Sequence, residues 1–164
     1  MGYTTDFRGS FDVTFNDESK KQEVIDLVNG LASTRRVKRD LSKIQTELTK
    51  SPKEYGVEGE FFYGGTGFAG QDNDASVING NQPPSTQPGL WLQWILTDMA
   101  SDGEYVLEWD GGEKFYEYVA WLDYLVEKIF APNNVVLNGE VEWRGEEWDD
   151  TGTIMIEDNV VSQS

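Results

Sequence analysis

One apolar stripe constrains this chain more than any other feature. Phe115, Tyr118, Val119, Leu122, Leu125, Val126, Ile129 and Phe130 recur at helical spacing, with Glu117, Asp123 and Lys128 off the stripe and Pro132 behind it. A helix with one such face must bury it against a second layer. Asp110 and Glu113 have the spacing of a capping box, with Asp in the place of the usual Ser or Thr, and so predict the helix start. LWLQWILT (90–97) and EYVLEW (104–109) precede it as two strands, joined by the turn-forming residues 98–103. VVL, GEVEW and TIMI follow as strands, with an acidic connection at 144–152 before the last.

The first half begins the same way. Phe11, Val13 and Phe15 alternate with Asp12 and Thr14, the period of a strand with one buried face. Residues 16–19 offer caps and first-turn acids for a helix carrying Val24, Leu27, Val28 and Leu31, broken near Gly30. Val37, Leu41, Ile44 and Leu48 predict a further helix within 33–50 that Pro52 stops, and Val57 to Tyr63 reads as a strand. With residues 31–89 set aside, the order is strand, helix, strand, strand, helix, strand, and one strand more. The expected class is therefore α+β: an antiparallel sheet with helices on one face, a ferredoxin-like (βαββαβ) core, an extra C-terminal strand and a long insertion at 31–89, in one domain of residues 1–164.

The chain of 164 residues has no Cys and no His. Disulfides, thiolate nucleophiles, Cys or His metal sites and the Ser-His-Asp arrangement are thereby excluded. No apolar run reaches the length of a membrane span, and the first residues lack the layout of a signal peptide, so a soluble, unprocessed protein is expected. Charge is uneven: residues 1–53 carry ten Lys or Arg against eight Asp or Glu, and residues 54–164 three against twenty-two. A field of that sign repels nucleic acid and anionic membranes and attracts basic surfaces, and it also keeps a protein soluble.

Four local patterns carry possible chemistry. GTGFAG (65–70) matches a dinucleotide fingerprint, but QDNDASVINGNQPP after it is a poor helix, and the fingerprint needs one, so the match reads as coincidence. Asp72, Asp74 and Ser76 start like a calcium loop, yet Val77 and Pro83 stand where Gly and Glu are required. Glu140, Glu142, Glu146, Glu147, Asp149 and Asp150 surround a turn and read as a solvated strand face and acidic turn, with a magnesium or acid–base site as the sharper alternative. The fourth pattern is RRVKRD (35–40), a basic cluster in an acidic chain. Were a helix to begin at Ser33 or Thr34, Arg35 and Arg36 would sit in its first turn, where the dipole disfavours cations by about 0.3–1 kcal/mol each unless an anion binds. A phosphate site and a basic segment bridging to the protein's own acids both remain open. The ligand-binding candidates are Arg35, Arg36, Lys38 and Arg39, with Gln71 and Asp72 of the polar loop and Trp91 and Trp94 as stacking surfaces.

MGYTTDFRGSF, TRRVKRD, GFAGQD, QPGLWLQW, EWDGGEKFYEYVAWLDYL and LNGEVEWRGEEWDDTG together cover most of the chain. On these stretches it resembles an uncharacterised family of small acidic proteins of bacteriophages, prophages and bacteria. The resemblance implies a viral accessory protein acting in the cytoplasm of a bacterial host, where counter-defence is a common role, and it implies no activity. The expectation is a non-enzymatic protein, without catalytic residue, cofactor or metal, that sequesters a phosphate-bearing small ligand such as a nucleotide signal, or a host defence protein. An acidic nucleic-acid mimic that inhibits a host DNA-binding enzyme is the alternative, and a carboxylate-based, magnesium-dependent enzyme is the second. No direct nucleic-acid or membrane binding is expected, and self-association stays open.

Overall fold

A computed structural model describes residues 2–44, 52–64 and 75–164. Its strands are β1 (Asp6–Phe15), β2 (Lys38–Arg39), β3 (Val77–Asn79), β4 (Trp94–Asp98), β5 (Tyr105–Trp109), β6 (Val135–Arg144), β7 (Thr151–Glu157) and β8 (Val160–Gln163), and its α-helices are α1 (Lys21–Ala32) and α2 (Tyr118–Leu125). The protein is α+β. Residue contacts divide it into two compact units, Met1–Asp26 with Gln93–Ser164, and Leu27–Leu92.

The first unit holds a six-stranded antiparallel sheet in the order β4-β5-β1-β6-β7-β8. Its spine is the ladder between β1 and β6, in register from Asp6 opposite Arg144 to Phe15 opposite Val135. Directly opposed residues share a face. The rows Phe11–Leu107–Leu96 and Val141–Ile154 therefore lie on one side, and all five side chains are buried. α2 packs on that side: Trp94 Nε1 donates to the Tyr118 carbonyl at 3.0 Å, and the Phe7 ring meets the Tyr118 ring edge-on at 4.9 Å between centroids. Trp121, Leu122 and Leu125 are buried on the same helix. Full burial of a Leu or Phe contributes about 1.5–3 kcal/mol, so this layer dominates the unit's stability. The alternate residues, among them Asp6, Asp12, Glu140, Glu142 and Glu157, are exposed on the other side of the sheet.

Several local expectations are corrected. α2 begins at Tyr118 and not near Asp110, because Lys114 and Glu117 both adopt left-handed backbone (φ 57° each), and Asp110 instead accepts from the Gly112 amide at 2.7 Å in a tight turn. At its other end the helix continues through a π turn (Val126–Phe130) and a 3-10 turn (Ala131–Asn133), past Pro132. There Asn133 Nδ2 donates to the Ile129 carbonyl at 2.7 Å, taking up an acceptor of the ending helix. VVL and GEVEW form one strand, which passes through Gly139 at φ 133°, where a Cβ would lie 3.3 Å from the Ser10 carbonyl oxygen. TIMI lies in β7, and β8 is a further strand that the pattern did not foretell.

α1 follows a 3-10 turn (Glu18–Lys20) capped by Asp17, whose Oδ1 accepts from the Ser19 amide at 3.1 Å. The helix is not broken at Gly30. A Cβ there would stand 2.4 Å from the Tyr63 ring, so the glycine marks close packing and not a helix end.

The second unit departs furthest from its pattern. No helix begins at Ser33 or Thr34; β2 pairs with β3, and a 3-10 turn (Leu41–Lys43) capped by Asp40 follows, while residues 45–51 lie outside those described. The alternate amides of Arg36, Lys38 and Asp40 donate to the carbonyls of Leu90, Gln82 and Ser76 at 2.8, 2.9 and 2.7 Å. Three tertiary hydrogen bonds at a spacing of two need an extended chain, and they override a weak helical periodicity. The strand expected from Val57 to Tyr63 is replaced by a 3-10 turn (Val57–Gly59) with Glu58 in left-handed backbone, after which Phe61 and Phe62 donate to the carbonyls of Tyr55 and Gly59. Among the described residues, no helix is long and apolar enough to cross a membrane.

Candidate functional site

The extended path of residues 34–40 decides where the basic cluster points. Arg36 is only 2% exposed. Its guanidinium donates to the Phe62 carbonyl at 2.6 Å, the Thr34 hydroxyl at 2.7 Å and the Glu60 carbonyl at 3.2 Å. Arg39 is equally buried, donates to Ser76 Oγ at 2.7 Å and lies 4.8 Å from the centre of the Phe62 ring. Lys38 pairs with Glu58 at 3.0 Å. Arg35 donates to the Gly80 carbonyl at 2.9 Å and lies 5.9 Å from the Trp91 ring.

The cluster is thus brought together, and each of its four cations has partners within the second unit. A guanidinium has five N–H donors in a fixed fork, which suits it to gather carbonyls from turns that have no ladder of their own. Arg36 gathers those of residues 60 and 62, and Gln87 Nε2 adds a second donor to Glu60 O at 2.6 Å. The buried Glu60 carboxylate in turn accepts from the Val57 amide and the Thr86 hydroxyl. These residues are internal struts. Trp91 stands beside Arg35 in the same unit; Trp94 belongs to the first unit, wholly buried among Phe7, Phe11 and Phe115. Gln71 and Asp72 lie outside the described residues.

The uncovered side of the sheet has a different character. The first unit contains 23 Asp or Glu and 6 Lys or Arg, which accounts for the chain's entire formal charge of −17; the second has seven of each. On the uncovered side stand Asp6, Asp12, Glu108, Glu140, Glu142 and Glu157, with only Arg8 and Arg144 among them. Cross-strand pairing places Arg8 opposite Glu142 and Arg144 opposite Asp6, where a cleft of about 870 Å³ is bordered also by Trp109, Thr151 and Thr153. A second cleft, of about 520 Å³, has Lys21 at its wall, donating to the Gly103 carbonyl at 2.6 Å and lying over Phe15 and Tyr105.

The acidic turn after β6 is ordered by the chain's own start. Tyr3 donates its hydroxyl to Asp150 Oδ2, and Glu146 Oε1 accepts from the Thr4 amide at 2.8 Å. That bond to Asp150 holds the Tyr3 phenol above its ordinary pKa, and burial raises that of Tyr118. Burial also pushes up the carboxyls of Asp110 and Asp123. Among the described residues, no group of three or more acidic side chains is gathered closely enough to hold a metal ion. The carboxylates of this unit are spread over a surface and do not converge on a point. Sequence reasoning noticed Glu140 and Glu142 as a strand face and missed Glu108 and Asp12 beside them, because cross-strand register is not written in either strand alone.

Comparison with protein-family models, curated proteins and solved structures gives no match for this chain.

Proposed function

We propose that the protein is a non-enzymatic accessory protein of bacteriophage origin that acts in the cytoplasm of a bacterial host by capturing a basic host protein on its acidic sheet surface. The observation that carries this reading is the coincidence of the whole net charge with one unit whose sheet has an uncovered, carboxylate-bearing side. Surfaces that evolved to hold nucleic acid display Lys and Arg toward a row of phosphates, and spaced carboxylates offer the same surface a competing partner. Counter-defence is the role this supports: occupying such a protein blunts a pathway without turnover. The order β4-β5-β1-β6, joined through α1 and α2, also supports a ferredoxin-like split βαββαβ unit as the scaffold, extended by β7 and β8.

The test is direct. A purified, basic DNA-binding protein of the host should bind at low salt, be released from the acidic protein by competing DNA, and be lost steeply as salt rises. Reversing Glu140 and Glu142 to Lys should weaken that binding by at least about tenfold, a change of about 1.4 kcal/mol. Binding that is absent at low salt, or indifferent to the reversal, rejects the reading.

A second reading, sequestration of a phosphate-bearing nucleotide, draws on Arg35, which is partly exposed beside Trp91. Stabilisation of the protein by ATP or a cyclic nucleotide, lost in Arg35→Gln, would favour it.

A further inference from the structure

β8 closes one margin of the sheet, and among the described residues only half of its backbone is paired. The Ser164 amide donates to the Thr153 carbonyl at 3.0 Å, which fixes the alternation of the ladder. Residues 160, 162 and 164 direct their N–H and C=O groups toward β7; Val161 and Gln163, opposite Ile156 and Ile154, direct theirs outward. Natural edge strands are usually blunted by a charge, a proline or a bulge. VVSQ has no charge and no proline, and its register to β7 runs without interruption from Ile154–Gln163 to Glu157–Val160. Beside it lie two apolar side chains on the uncovered side of the sheet, Val160 at 69% exposure and Met155 at 46%.

The surroundings of this edge are strongly anionic. Glu157 and Asp158 stand at one end of the hairpin, and the turn with Glu146, Glu147 and Asp149 lies next to Thr151 at the other end of β7. A second copy of the chain would bring the same charges against these, and like charges across a strand pair are destabilising. We infer that the β8 edge receives an extended, Lys- or Arg-bearing segment of a partner protein, added as a further antiparallel or parallel strand. The main chain of Val161 and Gln163 supplies the hydrogen bonds and the flanking carboxylates select the cations. This rests on the proposed capture of a basic protein and names the point of attachment.

Proline at position 163 tests it, because the Gln163 amide points outward. Gln163→Pro removes a donor and blocks the edge with its ring while every bond to β7 is kept, and the side chain it replaces is exposed. The probe is a short synthetic peptide alternating Lys with Val and Thr. It should bind the wild-type protein, lose about tenfold in affinity for Gln163→Pro at unchanged thermal midpoint, and fail to bind when Glu replaces its Lys. A peptide N-methylated at alternate residues, which lacks the strand-forming donors, should also fail to bind, and this control leaves the protein itself untouched. Equal affinity for wild type and Gln163→Pro, or for the methylated peptide, overturns the inference; if Glu140→Lys/Glu142→Lys still abolishes capture of the basic DNA-binding protein, the proposed function stands without it. Concentration-dependent dimers that Gln163→Pro disperses, with no peptide bound, would assign the edge to a second copy and likewise overturn the inference.

Discussion

Arg35 and Arg36 are neighbours with opposite duties, and a matched pair of substitutions separates them. Arg36→Gln takes from the buried Phe62 carbonyl its guanidinium donor, leaves the Glu60 carbonyl to Gln87 alone, and should lower stability by about 1–3 kcal/mol in chemical denaturation. Arg35→Gln gives up one carbonyl bond and a contact with Trp91 at the surface, and should cost no more than about 1 kcal/mol. Equal effects would contradict the strut assignment. Asp110 offers a test by pH. Because burial raises its carboxyl pKa, Asp110 favours the fold when protonated, and that contribution is lost as pH rises through the raised value. Asp110→Asn keeps an acceptor for the Gly112 amide and should raise the thermal midpoint at neutral pH, with the difference from wild type vanishing on acidification into the ordinary carboxylate range. The anomaly of RRVKRD was legible in the sequence; its role was not, since apart from the Thr34 hydroxyl the acceptors named for Arg36 and Arg39 come from positions 24 to 37 residues away that show no periodicity.

Among the elements, α2 is the one whose loss the fold tolerates least. Leu122 is fully buried in the middle of the stripe, and Leu122→Ala should cost about 2–5 kcal/mol. A loss below about 1 kcal/mol in denaturant titration would mean that the stripe does not face the main core. The stripe itself, the alternation in β1 and the hairpin of β4 and β5 could all be read from the chain, because amphipathic spacing is written by the residues that must be buried. Boundaries were less legible. Nothing in Lys114 or Glu117 announces left-handed backbone, and the extended run at 36–40 is held by carbonyls at 76–90. β8 escaped notice because VVSQ is short and its turn, Asp158-Asn159, departs from the commoner Asn-Gly, although both residues adopt the positive φ (45° and 69°) such hairpins need. Asn159 adds a reason of its own: its side chain accepts from the Leu137 amide at 2.7 Å and donates to the Val135 carbonyl at 3.0 Å, tying this turn to the start of β6.

Taken whole, the molecule concentrates its charge in one unit, and salt should reveal it. Screening relieves repulsion among the 23 carboxylates of the first unit, so the thermal midpoint should rise as sodium chloride is added from low to physiological concentration. A steady fall would show that attractive pairs outweigh that repulsion. The ladder between β1 and β6 bears on how the chain is made. It joins residues 6–15 to residues 135–144, so β1 leaves the ribosome long before the strand with which it pairs. At about 5–20 residues per second, that wait lasts from several seconds to nearly half a minute. Residues 27–92 are contiguous and can close on themselves meanwhile, whereas Phe7, Phe11 and Val13 travel without their sheet. The nascent chain therefore has a window in which the apolar face of β1 is open to chaperones, and slowing translation should lengthen it.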